Sequence, residues 1–215
     1  MISHKGQLDL FSLIAKEIKQ DIVVYVFGGN AMMFYGYKDE TKDIDILFEH
    51  LEEREEFIRV IKLIGFQETS PIKIYLPEKL RDPHRPLMYL KEDIRFNLFV
   101  KKIFKTLISP KMKEDLFAVH EFKGNNTLTL RVLRKEHLVI LKTVTERDRD
   151  FEDIVTIFRK DKNFDWQYLV DEVIWQYQHG DSWVLLDTEE MLKELKKYIF
   201  VNEIYLKQLY DAAGK

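Results

Sequence analysis

Val26-Phe27-Gly28-Gly29-Asn30-Ala31-Met32, followed by Thr41-Lys42-Asp43-Ile44-Asp45-Ile46, is the stretch on which the reading of this chain turns. Ile22 to Phe27 is a continuous β-branched and aromatic run, the mark of a strand covered on both faces. It stops at Gly28-Gly29, and Asn30 to Tyr35 then has the spacing of a short helix. Asp43 to Phe48 alternates acid with apolar residues, which predicts a second strand. Side chains on a strand alternate, so Asp43 and Asp45 leave one face while Ile44 and Ile46 enter the core from the other. Two carboxylates that close repel each other unless a cation lies between them. A hard divalent ion with oxygen ligands, Mg²⁺ or Mn²⁺, resolves the repulsion.

The glycine pair adds a second element. Residues without a Cβ let a phosphate approach a helix N-terminus, whose unpaired amides and dipole favour its charge. Alone, Gly-Gly after a strand is commonly a tight turn, and Asp-x-Asp is commonly a solvated strand edge or a helix cap. Together, in the order strand, Gly-Gly, helix, acid-bearing strand, they form an apparatus for acting on a nucleoside triphosphate.

Outward from this stretch, Leu8 to Lys19 and Leu51 to Ile64 read as amphipathic helices, the second closed by Gly65. Short strands are expected at Lys73 to Leu76 and Leu87 to Leu90, with Pro77 to Pro86 as a polar loop between them. Ile94 to Val100 is a better strand, with Ile94, Phe96, Leu98 and Val100 on one face. Val119 to Lys123 and Thr127 to Val132 flank the hairpin turn Gly124-Asn125-Asn126. From Lys135 onward the pattern is helical, with helices expected near 135–145, 149–160, 166–178 and 188–212. Asp187 and Glu190 read as a capping box for the last. The expected class is mixed α and β (α+β), with a flanked mixed sheet in residues 1–134 and a helical part, 135–215, that packs on it and closes the cleft.

The bulk properties bound the function. A chain of 215 residues with 46% hydrophobic side chains buries a full core without a staple. With no cysteine, disulfides, thiolate catalysis and Cys-based zinc sites are excluded. A net charge of −3 argues against a generally basic nucleic-acid binder, although 34 Lys and Arg leave room for a local basic groove such as Lys101-Lys102, Lys105, Lys111 and Lys113. The N-terminus shows no signal-peptide pattern and no run approaches the ~18 apolar residues of a membrane helix, so a soluble cytoplasmic protein is expected. The six histidines show no ligand spacing, and the tryptophans at 166, 175 and 183 read as packing of the helical part rather than base-stacking platforms.

Gly28-Gly29 and Asp43-Ile44-Asp45, with Thr41 two residues before the first acid, resemble the signature of the nucleotidyltransferase superfamily with a polymerase-beta-like fold. Where many members carry an Arg two residues before that Thr, this chain has Asp39. Further on, Lys142-x4-Arg147 and Arg147-x-Arg149-Asp150-x-x-Asp153 are similar to the helical signature of the abortive-infection toxin branch, with Arg149 in place of its Lys. The resemblance implies metal-dependent transfer of a nucleotidyl group from an NTP to an RNA end, a protein hydroxyl or a small molecule. A toxin of this kind would have an antitoxin protein as its partner. The resemblance places Mg²⁺ or Mn²⁺ on Asp43 and Asp45, and the nucleotide at Gly28, Gly29, Asn30, Thr41 and Lys142, with Lys142 and Asp150 contributing to catalysis. Active members usually place a third carboxylate on a later strand, and that position here holds Asn97, whose amide oxygen can still ligate a metal. The alternative is therefore a catalytically inactive protein of this fold that binds nucleotide or a protein partner.

From the residues alone, Lys142, Glu146, Arg149 and Asp153 would form one polar stripe if the helix were continuous. That stripe reads either as a salt-bridged solvated face or as a lysine facing a triphosphate.

Overall fold

A computed structural model describes residues 1–70, 72, 77–145 and 148–214. In chain order the elements are β1 (Ile2–Ser3), α1 (His4–Glu17), β2 (Ile22–Phe27), α2 (Gly28–Phe34), β3 (Glu40–Thr41), β4 (Asp43–Phe48), α3 (Leu51–Leu63), β5 (Gln67–Thr69), α4 (Pro77–Arg81) and β6 (Leu87–Lys91). They continue with β7 (Ile94–Val100), β8 (Lys102–Ile103), β9 (Thr106–Leu107), α5 (Pro110–Glu114), β10 (Leu116–Lys123) and β11 (Thr127–Leu133). The remainder is helical: α6 (Lys135–Thr143), α7 (Asp148–Lys160), α8 (Trp166–His179), α9 (Trp183–Leu195) and α10 (Glu203–Ala212). The class is mixed α+β. The chain forms two compact units, one of Met1–Ile103 with Leu116–Leu133, the other of Phe104–Asp115 with Arg134–Lys215. No helix among the described residues is long and apolar enough to cross a membrane.

The first unit is built on a sheet of order β10-β11-β2-β4-β7-β6-β5. β11 runs parallel to β2 and β4 parallel to β7, while β2 and β4 are antiparallel, as are β7 and β6. The central strands are buried on both faces, as the continuous apolar run Ile22 to Phe27 requires. On the face opposite the acids, Phe57 of α3 packs edge-on against Phe48 and Phe96, at 5.4 Å to each. That face is apolar core, and it fixes β4 so that Asp43 and Asp45 emerge on the other. A separate two-stranded pair, β1 with β3, matches Ile2 to Thr41 and holds the chain just before the acids.

Several expected elements differ. The stretch 77–86 is not wholly loop: Pro77 opens the helix α4, as a residue with fixed φ and no N–H can do at a helix start. The expected helix 188–212 is two helices, α9 and α10, separated at 196–202. The Asn202 side chain accepts from the Ile204 N–H at 3.0 Å and caps the second, giving the chain a new start. Asp187 does not stand at a helix start: it lies inside α9, whose N-cap is Ser182, and pairs with Lys105 at 2.9 Å. The stripe expected from Lys142 to Asp153 is not one helix, because α6 ends at Thr143 and α7 begins at Asp148. The strand expected at Lys73 to Leu76, and residues Glu146 and Arg147, lie outside the described residues. Strands of two or three residues (β1, β3, β5, β8, β9) carry no periodicity and had no signal in the sequence.

Candidate active site

Seven of the sequence-derived residues come together in the first unit: Gly28, Gly29, Asn30, Thr41, Asp43, Asp45 and Asn97. Ladder register explains how. Phe27 lies opposite Asp45 across the β2–β4 pair, so the turn into α2 begins beside the second acid. In the parallel β4–β7 pair, Asp43 is matched with Arg95 and Asp45 with Asn97. Paired residues share a face, which puts both acids, Arg95 and Asn97 on one side of the sheet.

The glycines are explained by close approach. Gly28 has φ +67°, and a Cβ built on it would lie 2.0 Å from Asp45 Oδ2. A Cβ on Gly29 would lie 2.7 Å from Thr41 Oγ1. The Asp45 carboxylate and the Thr41 hydroxyl occupy the space that the two missing side chains leave. The Gly-Gly pair therefore lets α2 seat directly on the acid-bearing strand.

Asn30 completes the junction. Fully buried in α2, it accepts the Asp45 backbone N–H on Oδ1 at 3.0 Å, while its Nδ2 has no hydrogen-bond partner. Thr41 Oγ1 accepts the Asp43 N–H at 3.3 Å and donates to the Asp43 carbonyl at 3.2 Å, shaping the entry to β4. Asp45 is 8% exposed and accepts from Asn97 Nδ2 on Oδ1 at 2.7 Å. Asp43, more open, forms an ion pair with Arg95. Asp93, the acid nearest to Asn97 along the chain, sits at the β6–β7 turn, exposed and paired with the chain's amino terminus.

The donor set fits a hard divalent cation. Two carboxylates leave one face, and Asn97 Oδ1, buried beside Asp45, has no hydrogen-bond partner. An orphaned buried oxygen costs about 1–3 kcal/mol, which a cation would recover. Among the described residues no group of three or more His, Cys, Asp or Glu is arranged to hold a metal, so the candidate set is two acids and one amide.

Lys142 and Asp150 belong to the second unit, where they meet each other. Lys142 Nζ donates to Asp150 Oδ1 at 3.0 Å and to Asp153 Oδ2 at 2.6 Å, and the residue is 5% exposed. Thr145 Oγ1 donates to Asp150 Oδ2 at 2.5 Å. Burial pulls the Lys142 pKa down, but Asp150 and Asp153 outweigh it and hold it above the ordinary lysine value. This is a buried ion triad contributed by α6 and α7 rather than a solvated face. The same unit buries His137, whose Nε2 lies 3.0 Å from the Tyr168 hydroxyl, which in turn donates to Asp115 at 2.9 Å. Burial, with Arg134 and Lys111 nearby, pushes the His137 pKa down to about 3.

Sequence reasoning did not single out Arg95 as the partner of Asp43, or Asn30 as the clamp on Asp45. Both relations depend on strand register and helix seating, which leave no trace in spacing along the chain.

No protein-family model matches the chain, and no curated protein is significantly similar to it. Among solved structures it is similar to the aminoglycoside nucleotidyltransferase ANT(2'')-Ia, crystallised with adenylyl-2''-tobramycin, at 14% identity and a TM-score of 0.46, over 73% of this chain and 90% of that one. A solution structure of the same antibiotic-resistance factor gives 14% identity and a TM-score of 0.40 over 66% and 76% of the two chains. JHP933 from Helicobacter pylori gives 14% identity and a TM-score of 0.41 over 100% and 92%. At these values no residue role passes from those proteins to a position in this chain.

Proposed function

We propose that this chain is a metal-dependent nucleotidyltransferase, moving a nucleotidyl group from an NTP to an acceptor hydroxyl. The observation that carries the proposal is the pair Asp43 and Asp45 on one face of β4, with Gly28 pressed against the Asp45 carboxylate and the unpaired Asn97 oxygen beside it. Asp43, Asp45 and Asn97 would hold Mg²⁺ or Mn²⁺, which supplies charge stabilisation for the attacking and leaving oxygens of an in-line displacement. Gly28, Gly29, Asn30 and Thr41 would line the phosphate side. Asn30 keeps β4 from shifting against α2 by holding the Asp45 amide. The acceptor oxygen forms a bond to the α-phosphorus as the bond to the bridging oxygen of the β-phosphate breaks. Pyrophosphate leaves, and the acceptor proton is released to solvent.

Lys142 and Asp150 are not assigned to this step, because the ammonium is held by two carboxylates within 3.0 Å. The acceptor classes are an RNA end, a protein hydroxyl or a small molecule, and a toxin role follows only from the first two.

The test is incubation with each α-labelled NTP, Mg²⁺ and total RNA, comparing wild type with Asp43→Asn. Label moving into acceptor and lost in the variant supports the proposal. A second reading, an inactive nucleotide-binding protein, is favoured by the Asn97 amide donating to Asp45 where a third acid would stand. It predicts saturable NTP binding with no transfer under any acceptor.

A further inference from the structure

Each acid of β4 is answered across the ladder by a residue of β7 that carries no negative charge. Asp43 faces Arg95 and is ion-paired with it, and Asp45 faces Asn97, whose Nδ2 occupies its Oδ1. Arg95 is held beside that contact by its backbone. Its own N–H donates to the Lys42 carbonyl at 2.8 Å, its side chain is only 20% exposed, and its Nε is buried without a hydrogen-bond partner. The guanidinium thus stands where a cation would approach Asp43. A divalent ion arriving alone must displace a charge-assisted contact and compete with a buried hydrogen bond, while giving up water it releases reluctantly. A triphosphate changes the balance. Its oxygens complete the ion's shell and offer the guanidinium a second anionic partner.

We infer that Arg95 is a positioning residue that makes divalent-cation binding conditional on the nucleoside triphosphate. The inference rests on the nucleotidyltransferase reading and deepens it: metal and nucleotide enter this site as a pair, and each raises the affinity for the other by the same factor. A lysine at this position keeps the charge on Asp43, so Arg95→Lys preserves the coupling, whereas Arg95→Gln removes it.

The experiment is a Mn²⁺ titration followed by the electron paramagnetic resonance signal of the free ion, with and without α,β-methylene analogues of the four NTPs. It covers wild type, Arg95→Gln, Arg95→Lys and Asp45→Asn, with far-ultraviolet circular dichroism confirming that each is folded. Wild type is expected to bind Mn²⁺ at least about tenfold more tightly with an analogue than without, within the usual span of coupling energies. Arg95→Gln is expected to bind Mn²⁺ alone about tenfold more tightly than wild type and to lose most of the coupling. Arg95→Lys should follow wild type. If wild type binds Mn²⁺ equally well without nucleotide, or if Arg95→Gln keeps the full coupling, while Asp45→Asn abolishes binding, Arg95 has no such role and the acid pair stands as the metal site. If no variant binds Mn²⁺ under any condition, both this inference and the nucleotidyltransferase reading fall.

Discussion

The two charge clusters of this protein are built on opposite principles. In the first unit, Asp43 and Asp45 are held by the backbone: ladder register, the close approach of Gly28 and the Asn30 clamp fix where they point, and their carboxylates leave the face opposite Phe48, Phe57 and Phe96. In the second unit, Lys142 of α6 and Asp150 and Asp153 of α7 are held by one another, with Lys142 only 5% exposed. On the proposed function, the cluster fixed by backbone and left with an unpaired oxygen takes the ligand, and the one whose charges are mutually satisfied holds the second unit together. Removing a residue from the first should therefore change binding and turnover with the fold intact, and from the second the fold itself.

The sharpest way to break that contrast is Asp45→Asn. The amide keeps the shape and can still accept from Asn97 on its oxygen, so the unfolding midpoint should hold while transfer falls on the order of 10³-fold, the scale of losing a preorganised charge-stabilising group. Retained transfer at a normal rate would remove the acid pair from the chemistry. Next, Lys142→Met leaves carboxylates buried without their ammonium and should cost the second unit about 3–5 kcal/mol. All three tryptophans, Trp166, Trp175 and Trp183, lie in that unit, so urea unfolding followed by tryptophan fluorescence reads it selectively. A stable Lys142→Met that has lost NTP affinity would move the triad into the same class as the acids.

A smaller effect separates contact from strain in the first unit. Gly28 and Gly36 both have positive φ, but a Cβ on Gly36 meets nothing within 4 Å, whereas on Gly28 it strikes Asp45. Gly36→Ala should cost only the left-handed penalty of about 1–2 kcal/mol. Gly28→Ala should cost visibly more in chemical denaturation and also weaken Mn²⁺ and nucleotide binding, since the carboxylate must move.

The last effect is read through pH and belongs to His137, about 2 kcal/mol between pH 6.5 and 5. Its folded pKa, about 3, lies below the ordinary value of 6.5, so the unfolded chain takes up a proton that the folded chain refuses. The contribution is complete above pH 6.5 and is lost as pH falls toward 3, by at most ~1.4 kcal/mol for each unit. Tryptophan-monitored urea midpoints between pH 7.5 and 5 should decline, and His137→Gln should flatten the decline.

The legible parts of the sequence were those in which one period decides the geometry. Ile22 to Phe27, Asp43 to Phe48 and Ile94 to Val100 were readable to the residue, because six or seven apolar or alternating positions leave no other way to bury them. The two-residue strands were not, and neither was the division of 188–212 into α9 and α10, where the apolar spacing runs on through 196–202 and only the Asn202 cap and the turn itself separate the helices. The same limit applied to the stripe from Lys142 to Asp153. Helical spacing suggests a continuous face, but α6 ends at Thr143 and α7 begins at Asp148, and Asp150 and Asp153 of α7 meet Lys142 of α6.

By itself, then, the sequence determined that two acids leave one face of a strand beside a Gly-Gly junction, since alternation along an extended chain is a local property. Only the tertiary structure decided what stands across from them. That Asp43 meets Arg95, that Asp45 meets Asn97, and that the missing Cβ of Gly28 makes room for a carboxylate all follow from register between strands distant in the chain. Register is set by packing the opposite, apolar face around Phe48, Phe57 and Phe96, and no spacing within one segment encodes it.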